Sequence, residues 1–175
     1  MIIGVTILLL FSCKTSMEEI NRLSGQREMP EVSLRNAELW YSDSARIRYY
    51  VSTPLYYKYN LEDRKEEEMP EGIYVILYDK EGNEVGTLNA KYARKGADED
   101  VWEARNEVVM QNSEGRKLET DLLYWDMENQ KIYTDTYSKL TSGDQIIEGN
   151  EGFYSDQQLT SPIFKKVTGR VKFEE

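Results

Sequence analysis

One residue in this chain stands where its type and position together could do chemistry. Cys13 is the single cysteine. It closes an uncharged, mostly apolar run, Ile2–Ser12, and Lys14, Thr15 and Ser16 follow at once. A lone thiol forms no internal disulfide, so it is either an acyl acceptor or an ordinary thiol after an apolar N-terminus. Histidine is absent. That removes imidazole acid–base catalysis, the Ser/His/Asp and Cys/His arrangements and most zinc sites. Carboxylates remain. Glu103, Asp121 and Asp126 are the acids to consider for a two-carboxylate hydrolase. They fall on polar strand faces or in turns, with no apolar wall to raise a pKa. The expectation is a protein that is not an enzyme and needs no cofactor or metal.

The apolar run before Cys13 is eleven residues long. As a helix it covers roughly 16 Å, about half of a ~30 Å hydrocarbon core. It suits the h-region of a signal peptide better than a membrane span. Leu10-Phe11-Ser12-Cys13 resembles the bacterial lipobox, with Leu10, Ser12 and Cys13 matching. Phe11 is bulkier than that pattern carries, and no Lys or Arg precedes the run. The resemblance implies cleavage before Cys13 and attachment to the membrane through acyl chains on it. Each buried CH₂ would then contribute about 0.8 kcal/mol.

The rest of the composition constrains partners. The net charge is -10, with no basic cluster to track a phosphate backbone, so nucleic acid is not expected as a partner. An acidic body gains nothing from anionic headgroups, so membrane attachment needs a dedicated anchor. Thirteen Tyr against four Phe favours strands that are apolar along the ring and wet at the hydroxyl.

The elements follow from the patterning. Residues 1–12 are expected as a signal peptide, 13–32 as a lipidated linker with one helical turn near Met17–Leu23, and 33–175 as one domain. Ala45–Val51 alternates apolar with other residues, as a half-buried strand does. Gly72–Asp79 is continuously apolar, as a strand buried on both faces would be. Leu61–Glu71, with six acids, two bases and Pro70, predicts a solvated loop. Val85–Tyr92, Val101–Ala104, Asn106–Gln111, Lys117–Trp125, Lys131–Thr134, Leu140–Ile147 and Ile163–Phe173 read as further strands. Tyr92, Tyr124 and Tyr154 recur in similar local frames, 32 and 30 residues apart, which predicts stacked β-layers. The fold class expected is all-β, a twisted open β-jellyroll of stacked short antiparallel strands.

From Gly86 onward the chain resembles the LptC family of lipopolysaccharide-export proteins. The carrying segments are Gly86–Tyr92, Leu118–Asp126, Ile132–Thr134, Ile147–Asp156 and Val167–Val171. The resemblance implies a module at the periplasmic face of the inner membrane. Such a module accepts lipopolysaccharide from an ABC transporter (LptB/LptF/LptG-like) and passes it to an LptA-like protein by strand addition at its C-terminal edge. Cys13 would replace the transmembrane helix that many members carry. Inward groove candidates are Leu88, Tyr92, Val108, Met110, Leu118, Leu122, Tyr124, Ile132, Ile146 and Phe153. The same residues could equally fill a closed core in a tethered structural or adhesive module. Partner-edge candidates are Val167, Gly169, Val171 and Phe173, where the neighbouring lysines and arginine either guard the edge or meet an acidic partner. Gly149 and Gly152 mark either a close backbone approach or an ordinary turn.

Overall fold

The computed structural model describes residues 29–61, 65–96 and 101–170, with side chains described as far as Val167. The described chain is all-β. Fourteen strands, paired antiparallel throughout, form one sheet. Two long strands open it, β1 (Val32–Asp43) and β2 (Arg46–Asn60). Next come β3 (Lys65–Met69), β4 (Ile73–Tyr78), β5 (Glu84–Ala90) and β6 (Tyr92–Gly96). A second long pair follows, β7 (Val101–Asn112) and β8 (Lys117–Asp126). The series ends with β9 (Lys131–Thr134), β10 (Ser138–Ser142), β11 (Gln145–Gly149), β12 (Phe153–Asp156), β13 (Ile163–Phe164) and β14 (Val167–Arg170).

The register shows how the sheet folds on itself. β2 pairs with β4 through Tyr49–Ser52 but with β3 through Tyr57–Asn60. β7 likewise pairs with β6 at one end and β5 at the other, and β8 with β9 and β10. The long strands therefore run through two half-sheets. The upper half holds β4, β5, β10, β11 and β14; the lower holds β3, β6, β9, β12 and β13. Residues far apart along these strands meet again at the strand tips. The Tyr49 ring, in the upper half, packs edge-on against Trp125 in the lower at 4.9 Å. Asn112 Nδ2 donates to Gln158 O at 2.8 Å, and Arg116 to Leu159 O at 2.7 Å. Two half-sheets joined along their bends and touching at their tips enclose an apolar interior, the arrangement expected of a jellyroll-like fold.

The bends have local causes. Asn106 and Glu107 both take positive φ, 62° and 51°, and together oppose one residue of β8, Asp121. Such a bulge kinks the pair and strengthens its twist. Thr53 and Thr120 sit at equivalent bends. Each turns its hydroxyl on a carbonyl of the nearest crossing loop, Gly72 O at 2.7 Å and Tyr137 O at 2.8 Å. That satisfies a carbonyl the ladder has released.

The repeat seen in the sequence is real and has a simple form. In each of Val32–Asn60, Lys65–Gly96, Val101–Asp126 and Lys131–Asp156 the chain rises from the lower half, turns at an upper tip and returns. Tyr92, Tyr124 and Tyr154 all lie on returning segments in the lower half.

Sequence readings change at several points, among them Ile163–Phe173, which divides into β13, paired with β12, and β14, paired with β11. Lys65–Met69 is a strand rather than part of a loop, because its pairing with β2 and β6 tolerates an acidic face at the end of the stack. β4 is buried on one face only: Ile73, Val75 and Leu77 are covered while Tyr74 is exposed. Val101–Asn112 is one strand with a bulge, not two. Leu140–Ile147 is a hairpin turning at Gly143 and Asp144.

Candidate functional site

The interior between the half-sheets gathers apolar side chains in long, ordered rows. Because successive side chains alternate across a strand, in-register residues on neighbouring strands line one face together. In the upper half, Leu39, Val51, Val75, Leu88, Met110, Leu118, Leu140 and Ile147 are consecutive Cα partners across eight strands. At about 4.8 Å per strand the row extends about 34 Å. That exceeds the ~30 Å of a whole bilayer hydrocarbon core. In the lower half, Met69, Ala93, Ala104 and Leu123 form one inner row, continued by Thr134, Phe153 and Phe164. Trp102, Trp125, Ile132 and Ser155 form a second.

Six of the ten groove candidates point into this interior. Leu88, Val108, Met110, Leu118, Ile132 and Phe153 are each 2% exposed or less. The other four do not, and the inward expectation for them is corrected. Tyr92, Leu122 and Tyr124 lie on the outer face of the lower half, and Ile146 on the outer face of the upper half. The kink at Asp121 is the cause for β8: Leu118 and Thr120 face inward before it, Leu123 and Trp125 after it. Tyr92 pairs with Arg105 and through it with Leu122, so it shares their face. Its hydroxyl donates to Glu68 at 2.9 Å, and burial followed by that carboxylate pushes its pKa up to about 12. Ile146 pairs with Thr141, so its neighbour Ile147, opposite Leu140, takes the inner position.

The interior is not uniform. At the β1–β3 end, Tyr41 and Tyr56 are held neutral to unusually high pH. Burial is the larger cause, and the Glu67 carboxylate beside both is the second. A cleft of about 420 Å³ opens there between the first hairpin and the lower tips, lined by Tyr41, Arg48, Tyr49, Lys95, Trp102 and Met127. At the far end a cleft of about 510 Å³, lined by Tyr124, Tyr133, Thr134, Phe153, Tyr154 and Ile163, reaches the edge of the inner row, and the side chains inward of it are close-packed. Phe153 and Phe164 meet at 4.9 Å, and Ser138 and Ser155 bury hydroxyls that have no hydrogen-bond partner. Gly149 belongs to that packing. A Cβ built on it would stand 2.7 Å from Phe164 Cδ1 and 3.2 Å from Gly152 O, so the close approach is real. Gly152 is required in addition by its φ of +133°.

Of the three acids considered in the sequence, Asp121 is exposed and the other two are held by neighbours. Glu103 is clamped by Arg94, 3.0 Å away, and by Arg105. Asp126 closes its turn by accepting from Asn129 N and Nδ2, both at 2.8 Å, which lowers its pKa. No group of His, Cys, Asp or Glu with metal-holding geometry exists among the described residues. Cys13, Val171 and Phe173, and residues 13–28 of the expected linker, lie outside the described residues. β14, carrying Val167 and Gly169, pairs with β11 alone among the described residues. Val167 is exposed.

Sequence patterning missed Val51, Val75, Leu123, Leu140 and the Trp102–Trp125 pair as inner residues. Their signal is positional: Val75, Leu140 and Trp125 are in register with the candidates Leu88, Leu118 and Ile132, Val51 and Trp102 lie one strand further along the same rows, and Leu123 pairs with Ala104. No protein-family model matches the chain, and no curated protein matches it.

Proposed function

We propose that the domain is a lipid-carrying β-module of the LptC type, tethered through Cys13 at the periplasmic face of the inner membrane. In this reading it receives lipopolysaccharide acyl chains from an LptB/LptF/LptG-like transporter. It hands them to an LptA-like protein at the β13–β14 end. The observation that carries the reading is the apolar row from Leu39 to Ile147, which crosses the stack without a charged residue. A globular core needs no such length, whereas an acyl chain needs a dry, continuous track. The polar β1–β3 end suits the transition from a hydrated headgroup to that track. The chain carries no nucleotide-binding motif, so the energy for transfer comes from a partner.

One observation favours the second reading, a tethered structural or adhesive module with a closed core. Val75, Met110, Leu118, Leu123 and Ile132 are buried to 1% exposure or less, so the half-sheets must part before a chain can enter. A photoreactive residue placed at Leu88, Met110 or Phe153 separates the two. Lipid transfer predicts crosslinks to lipopolysaccharide in cells from these positions and none from the outward Leu122 or Tyr154. If the inner positions give none while the protein is folded and exported, transfer is excluded.

A further inference from the structure

A second surface is unexplained by an interior that carries lipid. At the upper tips of the first hairpin, Trp40 is 56% exposed and Ile47 47% exposed. Trp40 leans on Tyr50 with ring centroids 5.4 Å apart. Together with Ala45, Arg46, Tyr78, Lys80 and the Asp79–Gly82 turn, Trp40 and Ile47 line an open cleft of about 490 Å³ on the outer face of the upper half-sheet. Both of the other tryptophans, Trp102 and Trp125, are 5% exposed or less. An indole left in water on a flat sheet face costs solubility, and nothing in the fold requires it there.

The chemistry of the patch is that of a bilayer interface. Trp and Tyr rings settle at headgroup depth, an aliphatic residue beside them reaches the first methylenes, and Lys or Arg contacts phosphate. Arg46 and Lys80 supply the cations, and Arg46 Nη1 is fixed by donating to Lys80 O at 3.3 Å. Acids stand nearby, but two are already engaged. Asp79 accepts from Glu81 N, Asn83 N and Asn83 Nδ2, and Glu38 is hydrogen-bonded by the Tyr50 hydroxyl. Within the cleft lining Glu81 is left against two cations, with Asp43 opposite Arg46 and Glu84 opposite Tyr78 at its margin.

The occupant follows from where the chain is held. β1 begins at Val32, 19 residues after Cys13. Whatever its structure, that stretch spans at most about 65 Å. The first hairpin is thus the part of the stack nearest the anchor in sequence and is confined to the membrane's vicinity. We infer that the Trp40–Ile47 cleft docks on the bilayer surface and sets the angle at which the stack stands on the membrane. The patch lies on a sheet face, so docking leaves the outer edge of β1, which pairs with β2 alone among the described residues, open for pairing. This inference rests on the anchor at Cys13 assigned above.

The test uses the purified full-length lipoprotein in phospholipid vesicles, with and without bromine on the acyl chains, after the mass of its mature N-terminus has been read. Docking predicts that brominated lipid quenches tryptophan emission and that Trp40→Phe removes the quenching. It also predicts that iodide, which reaches Trp40 in lipid-free protein, no longer does so on vesicles. Ile47→Glu, at an exposed position, should restore iodide access and leave the melting transition unchanged. Emission indifferent to bromine, with Trp40 open to iodide on the vesicle, overturns the inference; so does quenching that survives Trp40→Phe. An unacylated Cys13 refutes the anchor separately, because the same Trp40 readout still reports whether the patch enters vesicles. Loss of iodide access without bromine quenching identifies a protein as the occupant and overturns docking on lipid.

Discussion

The two ends of the interior differ more than the two half-sheets do. At the β1–β3 end the inner residues include Tyr41, Tyr56 and Glu67, and Leu34 beside them is 43% exposed. At the β9–β13 end they are Ile132, Thr134, Ser138, Leu140, Phe153 and Ser155, all buried and none ionisable. One end is an aromatic, hydrogen-bonding mouth beside β1, which pairs with β2 alone among the described residues, and the other has an inner row of buried, non-ionisable side chains with a cleft at its outer edge. Equal packing along the stack would make the interior a core and nothing more. The asymmetry makes the two ends chemically distinct, with the mouth at the end where β1 begins.

The largest consequence is for stability. Phe153 is 2% exposed and rests on Phe164, so Phe153→Ala leaves a cavity beside that ring which its neighbours fill only in part. The expected cost is about 3–5 kcal/mol in urea unfolding. Leu34→Ala at the mouth should cost less than about 1 kcal/mol, since much of that side chain is already in water. Equal losses at the two positions would remove the distinction between the ends.

A smaller effect tests the β9–β13 end through its backbone. Gly149→Ala forces the new methyl against Phe164 Cδ1 and Gly152 O. One of these contacts is backbone and cannot yield, so a loss of about 1–3 kcal/mol is expected. Trimming the other contact in Phe164→Leu should recover part of it, and the double-mutant cycle measures the coupling. Additive losses would mean that the Gly149 approach is unrelated to the filling of that end.

These positions also show how far the sequence could be read. Strand content and the roughly 30-residue repeat were legible, because both rest on alternation and turn chemistry within a few residues. Inner and outer faces were legible only up to the bends. Leu118 and Leu122 have the same parity, yet the kink at Asp121 puts them on opposite faces, and the two residues that create it, Asn106 and Glu107, belong to another strand. Glu66-Glu67-Glu68 reads as solvated loop because an acidic strand is stable only where its neighbours supply partners. Here those partners are Tyr56 for Glu67, and Arg94 and Tyr92 on β6. The Trp40–Ile47 patch had no sequence signal, since its members come from three strands, β1, β2 and β4, and the Asp79–Gly82 turn.

The smallest expected effect is the most specific to the mouth. Burial, and after it the charge of Glu67, raises the Tyr41 and Tyr56 hydroxyls above the ordinary value of 10.0. Above that pH the unfolded chain releases these protons while the folded chain keeps them. The unfolded state then binds fewer protons, so stability falls as pH rises. Below 10.0 both states are protonated and the contribution is fully present. Urea midpoints taken on either side of that pH should show an alkaline decline that is shallower in Tyr41→Phe and Tyr56→Phe. It should not vanish, because Tyr49, Tyr50, Tyr92 and Tyr137 are raised as well. Glu67→Gln removes the charge and leaves the burial, so it should flatten the decline less than either phenylalanine. If Glu67→Gln leaves the limb unchanged while both phenylalanine variants flatten it, the mouth is governed by burial alone and its resemblance to the β9–β13 end is closer than the residues suggest.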